Sequence, residues 1–126
     1  MRTPHPTLTP QELAIMKVVW KTDGPVTVRD VYEALREQRR IAYTTVMTMM
    51  RILEDKGYLE KSLVERAHVY KPSKPRQQVV GAMIRDFVDR VLDGAPRALL
   101  LHLAKDNTLT PKQRQIVKQL VEEMDE

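Results

Sequence analysis

The 126-residue chain contains no cysteine, which excludes disulfides, thiolate metal sites and cysteine nucleophiles together. Aromatic residues make up only 5 % of it. That is few for a large independent core, so part of the apolar surface is expected to be completed by a partner chain. No apolar run approaches the ~18 residues of a transmembrane helix, and the opening Met1 to Pro6 is polar and proline-rich, unlike a signal peptide. The expectations are a cytoplasmic location and no membrane insertion. Also missing are a Gly-rich phosphate loop, a Gly-x-Ser-x-Gly elbow and a carboxylate pair isolated in an apolar stretch. The series Asp86, Asp89 and Asp93 sits beside Arg85 and Arg90 and reads as a solvated face. His5, His68 and His102 lie far apart without metal-ligand spacing. Neither an enzyme nor a metal or other cofactor is expected.

What is present is an uneven distribution of charge. Residues 1–75 hold 13 basic against 9 acidic side chains, whereas residues 76–126 hold 8 of each, so the first part carries the whole net charge of +4. A basic segment joined to a neutral one fits a polyanion-binding domain with a second element attached; chance also produces an excess of this size. The two prolines of Lys71-Pro72-Ser73-Lys74-Pro75 mark the internal boundary, giving residues 1–74 and 75–126 as the two parts.

The first part reads as three helices and a hairpin. Thr9-Pro10-Gln11-Glu12 is a capping box with proline at the first helical position, Leu8 and Leu13 are placed for a hydrophobic staple, and Leu13, Met16, Val19 and Trp20 form the inner stripe. After Asp23-Gly24-Pro25, Thr27 and Asp30 begin a second helix with Val28, Val31, Tyr32 and Leu35 inward. A third helix runs from about Ala42 to Lys56 and stops at Gly57. Tyr58 to Leu63 and Ala67 to Lys71 then alternate as strands around a turn at Val64-Glu65-Arg66. The fold class is therefore mainly α with a small β-wing: a winged helix-turn-helix domain whose third helix suits the major groove, followed by a helical dimerisation region.

On the third helix Val46, Met49, Met50 and Leu53 point inward, leaving Thr44, Thr48 and Arg51 on the opposite face, flanked by Thr45 and Met47. Hydroxyls and an arginine can hydrogen-bond base edges and phosphates, methyl-bearing groups can touch thymine, and Tyr43 can reach a phosphate. Threonine is a poor helix former compared with the lysine and glutamate that would solvate such a face equally well, which favours a contact surface. Of Met47, Met49 and Met50, two at this spacing are core and the third is a contact residue, and adaptable packing rather than copper ligation is the reading. On the wing, Arg66 stands beside His68, which fits either a backbone-phosphate contact or a half-exposed strand residue.

The second part reads as three helices of about 15, 10 and 15 residues by their periodicity. Val80, Ile84, Phe87 and Val91 line the first. Leu100 and Leu103 belong to a middle helix that is apolar nearly all round and so is expected to be fully buried. Ile116, Val117, Leu120, Val121 and Met124 form a seam on the last, which opens with the capping pattern Thr110-Pro111-Lys112-Gln113. Broad apolar faces on short helices fit interlocking with a second copy; a monomeric tail packed on the first part is the alternative.

Several of these segments resemble the penicillinase-repressor (BlaI/MecI) family: Leu8 to Trp20, Thr27 to Val31, Ala42 to Thr48 running on to Leu53 and Lys56-Gly57, and Arg66 to Tyr70. The resemblance covers residues 8–72 well and the tail by length and helix order. It implies a homodimeric winged-helix repressor that binds double-stranded DNA at dyad operators, typically of β-lactam-resistance or stress genes. Family contacts fall on Thr44, Thr45 and Met47, and on Arg66 in the wing. It also implies induction by a membrane-bound sensor metallopeptidase that cuts an Asn-Phe bond in the middle tail helix. This chain has Leu101-His102 at the corresponding place, and it lacks the paired cysteines of the copper-responsive branch. Two other readings are a regulator that senses a small molecule at the dimer cleft and a protein-interaction adaptor built on the same scaffold.

Overall fold

A computed structural model describes residues 8–124; His5 and the proline-rich opening lie outside them. In chain order the elements are α1 (Pro10–Lys21), α2 (Val28–Arg36), α3 (Tyr43–Asp55), β1 (Leu59–Val64), β2 (Ala67–Pro72), α4 (Arg76–Val91), α5 (Pro96–Ala104) and α6 (Pro111–Met124). Two compact units divide within α4, between Ala82 and Met83.

Capping starts the first two helices of the first unit. Thr9 Oγ1 accepts from the Glu12 amide at 3.1 Å and Thr9 N–H donates to the Glu12 carboxylate at 2.9 Å. Thr27 and Asp30 repeat the exchange at the start of α2, at 3.0 and 2.9 Å. Such a cap satisfies two otherwise orphaned amides and contributes about 1 kcal/mol. The three helices then close around Ile15, Met16, Val19, Val31, Leu35, Val46, Met50 and Leu53, all buried.

The α1 stripe is rotated from the expected one. Ile15 is buried, whereas Leu13 and Trp20 are only half-buried. Trp20 instead sends its indole N–H 3.0 Å to the Lys74 carbonyl, tying α1 to the segment after the ribbon. An indole N–H needs such a partner, so it stays near the surface where a carbonyl is available.

The wing is an antiparallel pair with Leu59 opposite Pro72 at its base and Val64 opposite Ala67 at its tip. A two-stranded ribbon is marginal alone. Its base is therefore anchored by buried Tyr58, Leu59 and Tyr70, and by a single bridge in which Val26 and Tyr70 exchange hydrogen bonds of 2.8 and 2.7 Å. The turn is tighter than expected, with only Glu65 and Arg66 in the loop, at φ 49° and 70°. Two positive φ values in a two-residue loop match the right-handed twist of the strands.

In the second unit α5 packs against α6. The Thr110–Gln113 capping exchange forms at the start of α6, with hydrogen bonds of 3.0 and 3.1 Å. The expected full burial of α5 is not observed. Leu99, Leu100, Leu101 and Leu103 are half-buried and no α5 side chain is buried, because α6 covers one side of the helix within a single chain.

Candidate nucleic-acid interface

Helix α3 owes its position to its inner face. Val46, Met50 and Leu53 are completely buried, and Met49 is half-buried beside them. Burying each such side chain contributes about 1.5–3 kcal/mol, so the helix cannot rotate cheaply, and its outer face is fixed by default. Thr44, Thr48 and Arg51 are exposed along that face and Thr45 is half-buried at its flank. Tyr43, Met47 and Arg51, at steps of four, follow a neighbouring line.

That second line runs into a groove of about 420 Å³ between α3, the start of α2 and the ribbon. The groove brings together four of the residues expected from sequence, Tyr43, Met47, Arg51 and His68, with Thr27, Arg29, Lys61 and Tyr70 among its other walls. Thr44, Thr45, Thr48 and Arg66 are not among its lining residues; Arg66 sits in the exposed turn at the ribbon tip. Arg29, Arg51 and Lys61 contribute positive charge, and no carboxylate lines the groove. Lys61 is paired with Glu54 at 3.8 Å and Arg29 with Glu33 at 3.5 Å. Arg51 has no ion-pair partner among the described residues, which leaves its planar donors open to a phosphate or a guanine edge.

Arg29 and Lys61 escaped the sequence reading. Arg29 was hidden by its place in a capping segment, and Lys61 by lying on a strand whose neighbours are not periodic with α3. A basic residue in the first turn of α2, where the macrodipole disfavours it, was the available signal for Arg29.

An ion pair with its carboxylate buried and its ammonium partly open to water holds the far end of α3. Glu12 is the one charged side chain in the core of the described residues. Its carboxylate takes the Lys56 ammonium at 2.8 and 3.0 Å, joining the first turn of α1 to the C-cap of α3. Burial alone would raise the Glu12 pKa. The Lys56 and Thr9 hydrogen bonds, with the nearby positive charge, outweigh it and leave the carboxyl below its ordinary 4.5. Beside them, burial raises the Tyr58 phenol above its usual 10.0, with Lys56 opposing and Glu12 adding to the shift. The sequence marked Glu12 only as a cap.

The expected dimerisation residues divide by exposure. Ile84, Phe87, Val91, Ile116, Leu120 and Met124 are exposed within one chain, while Val80, Leu100, Leu103 and Val117 are half-buried. Val121, expected on the same seam, is 8 % exposed and is the one α6 side chain buried within the chain.

Three helices followed by a hydrogen-bonded ribbon, with the third helix presenting a polar and basic face beside that ribbon, define a winged-helix domain. The chain belongs to the penicillinase repressor family, which it matches over residues 8–123. It is 37 % identical over 95 residues to the transcriptional regulator BlaI of Mycobacterium tuberculosis, covering 75 % of this chain and 69 % of that one. To the penicillinase repressor of Bacillus licheniformis it is 25 % identical over 118 residues, covering 94 % and 91 % of the two chains. It is also similar in structure to the monomeric form of Bacillus licheniformis BlaI, solved in solution in complex with the blaP half-operator. That match has a TM-score of 0.51 and 28 % identity, covering 59 % of this chain and 89 % of the other. The family is one of repressors, not of enzymes.

Proposed function

We propose that this chain is a DNA-binding transcriptional repressor that works as a homodimer on dyad operators in the cytoplasm, controlling β-lactam-resistance or stress-response genes. The observation that carries the reading is the α3 face, where Thr44, Thr48 and Arg51 are exposed beside a carboxylate-free groove containing Arg29, Arg51 and Lys61. The likeness to a repressor held on a half-operator supports it. In this reading residues 1–74 are the reading head. Thr44, Thr45, Met47, Thr48 and Arg51 face base edges, while Tyr43, Arg66 and His68 contact the backbone.

Residues 75–126 join two heads. The exposed apolar side chains Ile84, Phe87, Val91, Ile116, Leu120 and Met124 support that role, because a single chain rarely leaves such a series open to water. Two linked heads reach an effective concentration that neither has alone. Proteolysis of the tail by a membrane-bound sensor metallopeptidase, at or near Leu101-His102 on α5, would release the DNA by removing that linkage.

The test is an electrophoretic shift on DNA from upstream of the chain's own gene, repeated with excess nonspecific duplex. A persistent shift is expected, and Thr44→Ala with Arg51→Ala should abolish it while sedimentation still reports a dimer. A shift that disappears into the nonspecific competitor would sink the reading.

A further inference from the structure

The outer side of α2 carries a network in which Tyr43 is the one residue among the expected contacts. The Arg29 guanidinium lies 5.3 Å from the centre of the Tyr43 ring, and Tyr43 meets Tyr32 edge-on at 5.5 Å. Arg36 lies 5.4 Å from the Tyr32 ring. One carboxylate serves both cations: Glu33 Oε2 is 3.5 Å from Arg29 and Oε1 is 3.3 Å from Arg36.

Each part has a physical consequence. A ring face attracts a guanidinium and orients it, while the N–H groups in the guanidinium plane stay free for an anion. Tyr43 is the first residue of α3, and Arg29 lines the same groove as Met47, Arg51 and Lys61. A phosphate approaching the start of α3 would therefore meet the Arg29 donors. At the start of α2 the Thr27 and Asp30 amides are already taken up by the capping exchange. The Glu33 contacts are longer than the 2.7–2.9 Å of a strong charge-assisted hydrogen bond, and its side chain is half open to water. Exposed pairs of this kind are weak, so a phosphate can displace the carboxylate.

We propose that Arg29 is a phosphate ligand of the interface and that Glu33 occupies its anion position in the free protein, so that DNA must displace an internal carboxylate to bind. Arg36 then keeps Glu33 within reach of Arg29 and takes it over once phosphate arrives. The inference rests on the reading of this face as DNA-binding. Its effect is to weaken attachment to DNA of any sequence while leaving the base-facing side of α3 untouched, so it sets the overall affinity and its salt dependence rather than the choice of sequence.

Because phosphate contacts are independent of sequence, the probe is a mixed-sequence duplex of about 30 base pairs, long enough for two half-sites. Anisotropy titrations of the full chain would be run across a salt series. Glu33→Gln is expected to bind about threefold to tenfold more tightly at low salt, with the slope of log affinity against log salt little changed, because Arg29 reaches the phosphate in both proteins. Arg29→Gln should weaken binding and flatten that slope by about 1, the loss of one phosphate contact. In Arg29→Gln, the further change Glu33→Gln should gain nothing.

Glu37→Gln removes the same charge from the exposed C-cap of α2, outside the network, and should not reproduce the gain. The inference is overturned if Glu33→Gln binds as the parent does, if Glu37→Gln matches it, or if the gain persists without Arg29. If the folded parent itself binds no duplex, the DNA-binding reading fails instead. Should Arg29→Gln not fold, Arg29→Lys serves. It keeps the charge but loses the flat donor array, and is expected to weaken binding with the slope retained.

Discussion

The carboxylate of Glu12 closes the capping box of α1 and takes the Lys56 ammonium at 2.8 Å, although its side chain is only 4 % exposed. Glutamine preserves the cap but cannot pair with the ammonium. Lys56 is 40 % exposed, so its orphaned charge can turn to water and the loss stays moderate. Glu12→Gln is expected to cost about 1–2 kcal/mol at neutral pH, measured by urea denaturation. The pH dependence follows from the depressed carboxyl. The folded state binds this proton less readily than the unfolded chain, so the stabilisation is present above the ordinary 4.5 and is lost as pH falls through the lower folded value. The difference in stability between parent and variant should therefore shrink below about pH 4. A difference that stays constant down to pH 3 would mean the pair is not what Glu12 contributes.

The hairpin turn and the helix caps set the elements. Glu65 and Arg66 both occupy the left-handed region, at φ 49° and 70°, where side chains other than Asn, Asp and Gly are disfavoured by about 1 kcal/mol each. Replacing them by Asn-Gly should raise stability by about 0.5–1 kcal/mol. The same change removes the Arg66 guanidinium, and the salt slope of DNA binding should fall by about 1. Stability and binding then move in opposite directions, as expected where backbone strain is kept at a working position. Thr27→Ala at the α2 cap should lower thermal stability by about 1 kcal/mol and loosen Arg29, two residues on; an unchanged melting temperature would contradict the capping geometry.

Across the whole molecule, the two compact units divide inside α4 rather than at Pro75. Val79 is 3 % exposed and lies in the first unit. A chain ending after Ala82 is therefore expected to fold, whereas one ending after Lys74 loses a buried contact and should be less stable by about 1–3 kcal/mol. The chain ending after Ala82 tests the linkage between heads: it should sediment as a monomer and bind operator DNA at least about 100-fold more weakly than the full chain, with one head's salt dependence. Phe87→Asp in the full chain should give the same pair of results through the exposed face of α4. A truncated chain that binds as tightly as the parent would remove dimerisation from the account.

Local chemistry was enough for much of this. The threonine caps, Gly57 after α3, the ribbon and the apolar steps of α2 and α3 depend on residues within a few positions of one another, and the sequence by itself determined the elements, their order and the exposed line Thr44, Thr48 and Arg51. Contacts across long separations were decided only by the tertiary structure. These include Glu12 with Lys56, Trp20 with the Lys74 carbonyl, Val26 with Tyr70, and Arg29 with Tyr43 at the mouth of the groove. Ile15 displaced Leu13 from the core, and Val121 was buried, for the same reason. Periodicity says which side of a helix is apolar, but the few tens of degrees that settle which side chain is innermost come from the shape of the neighbouring elements.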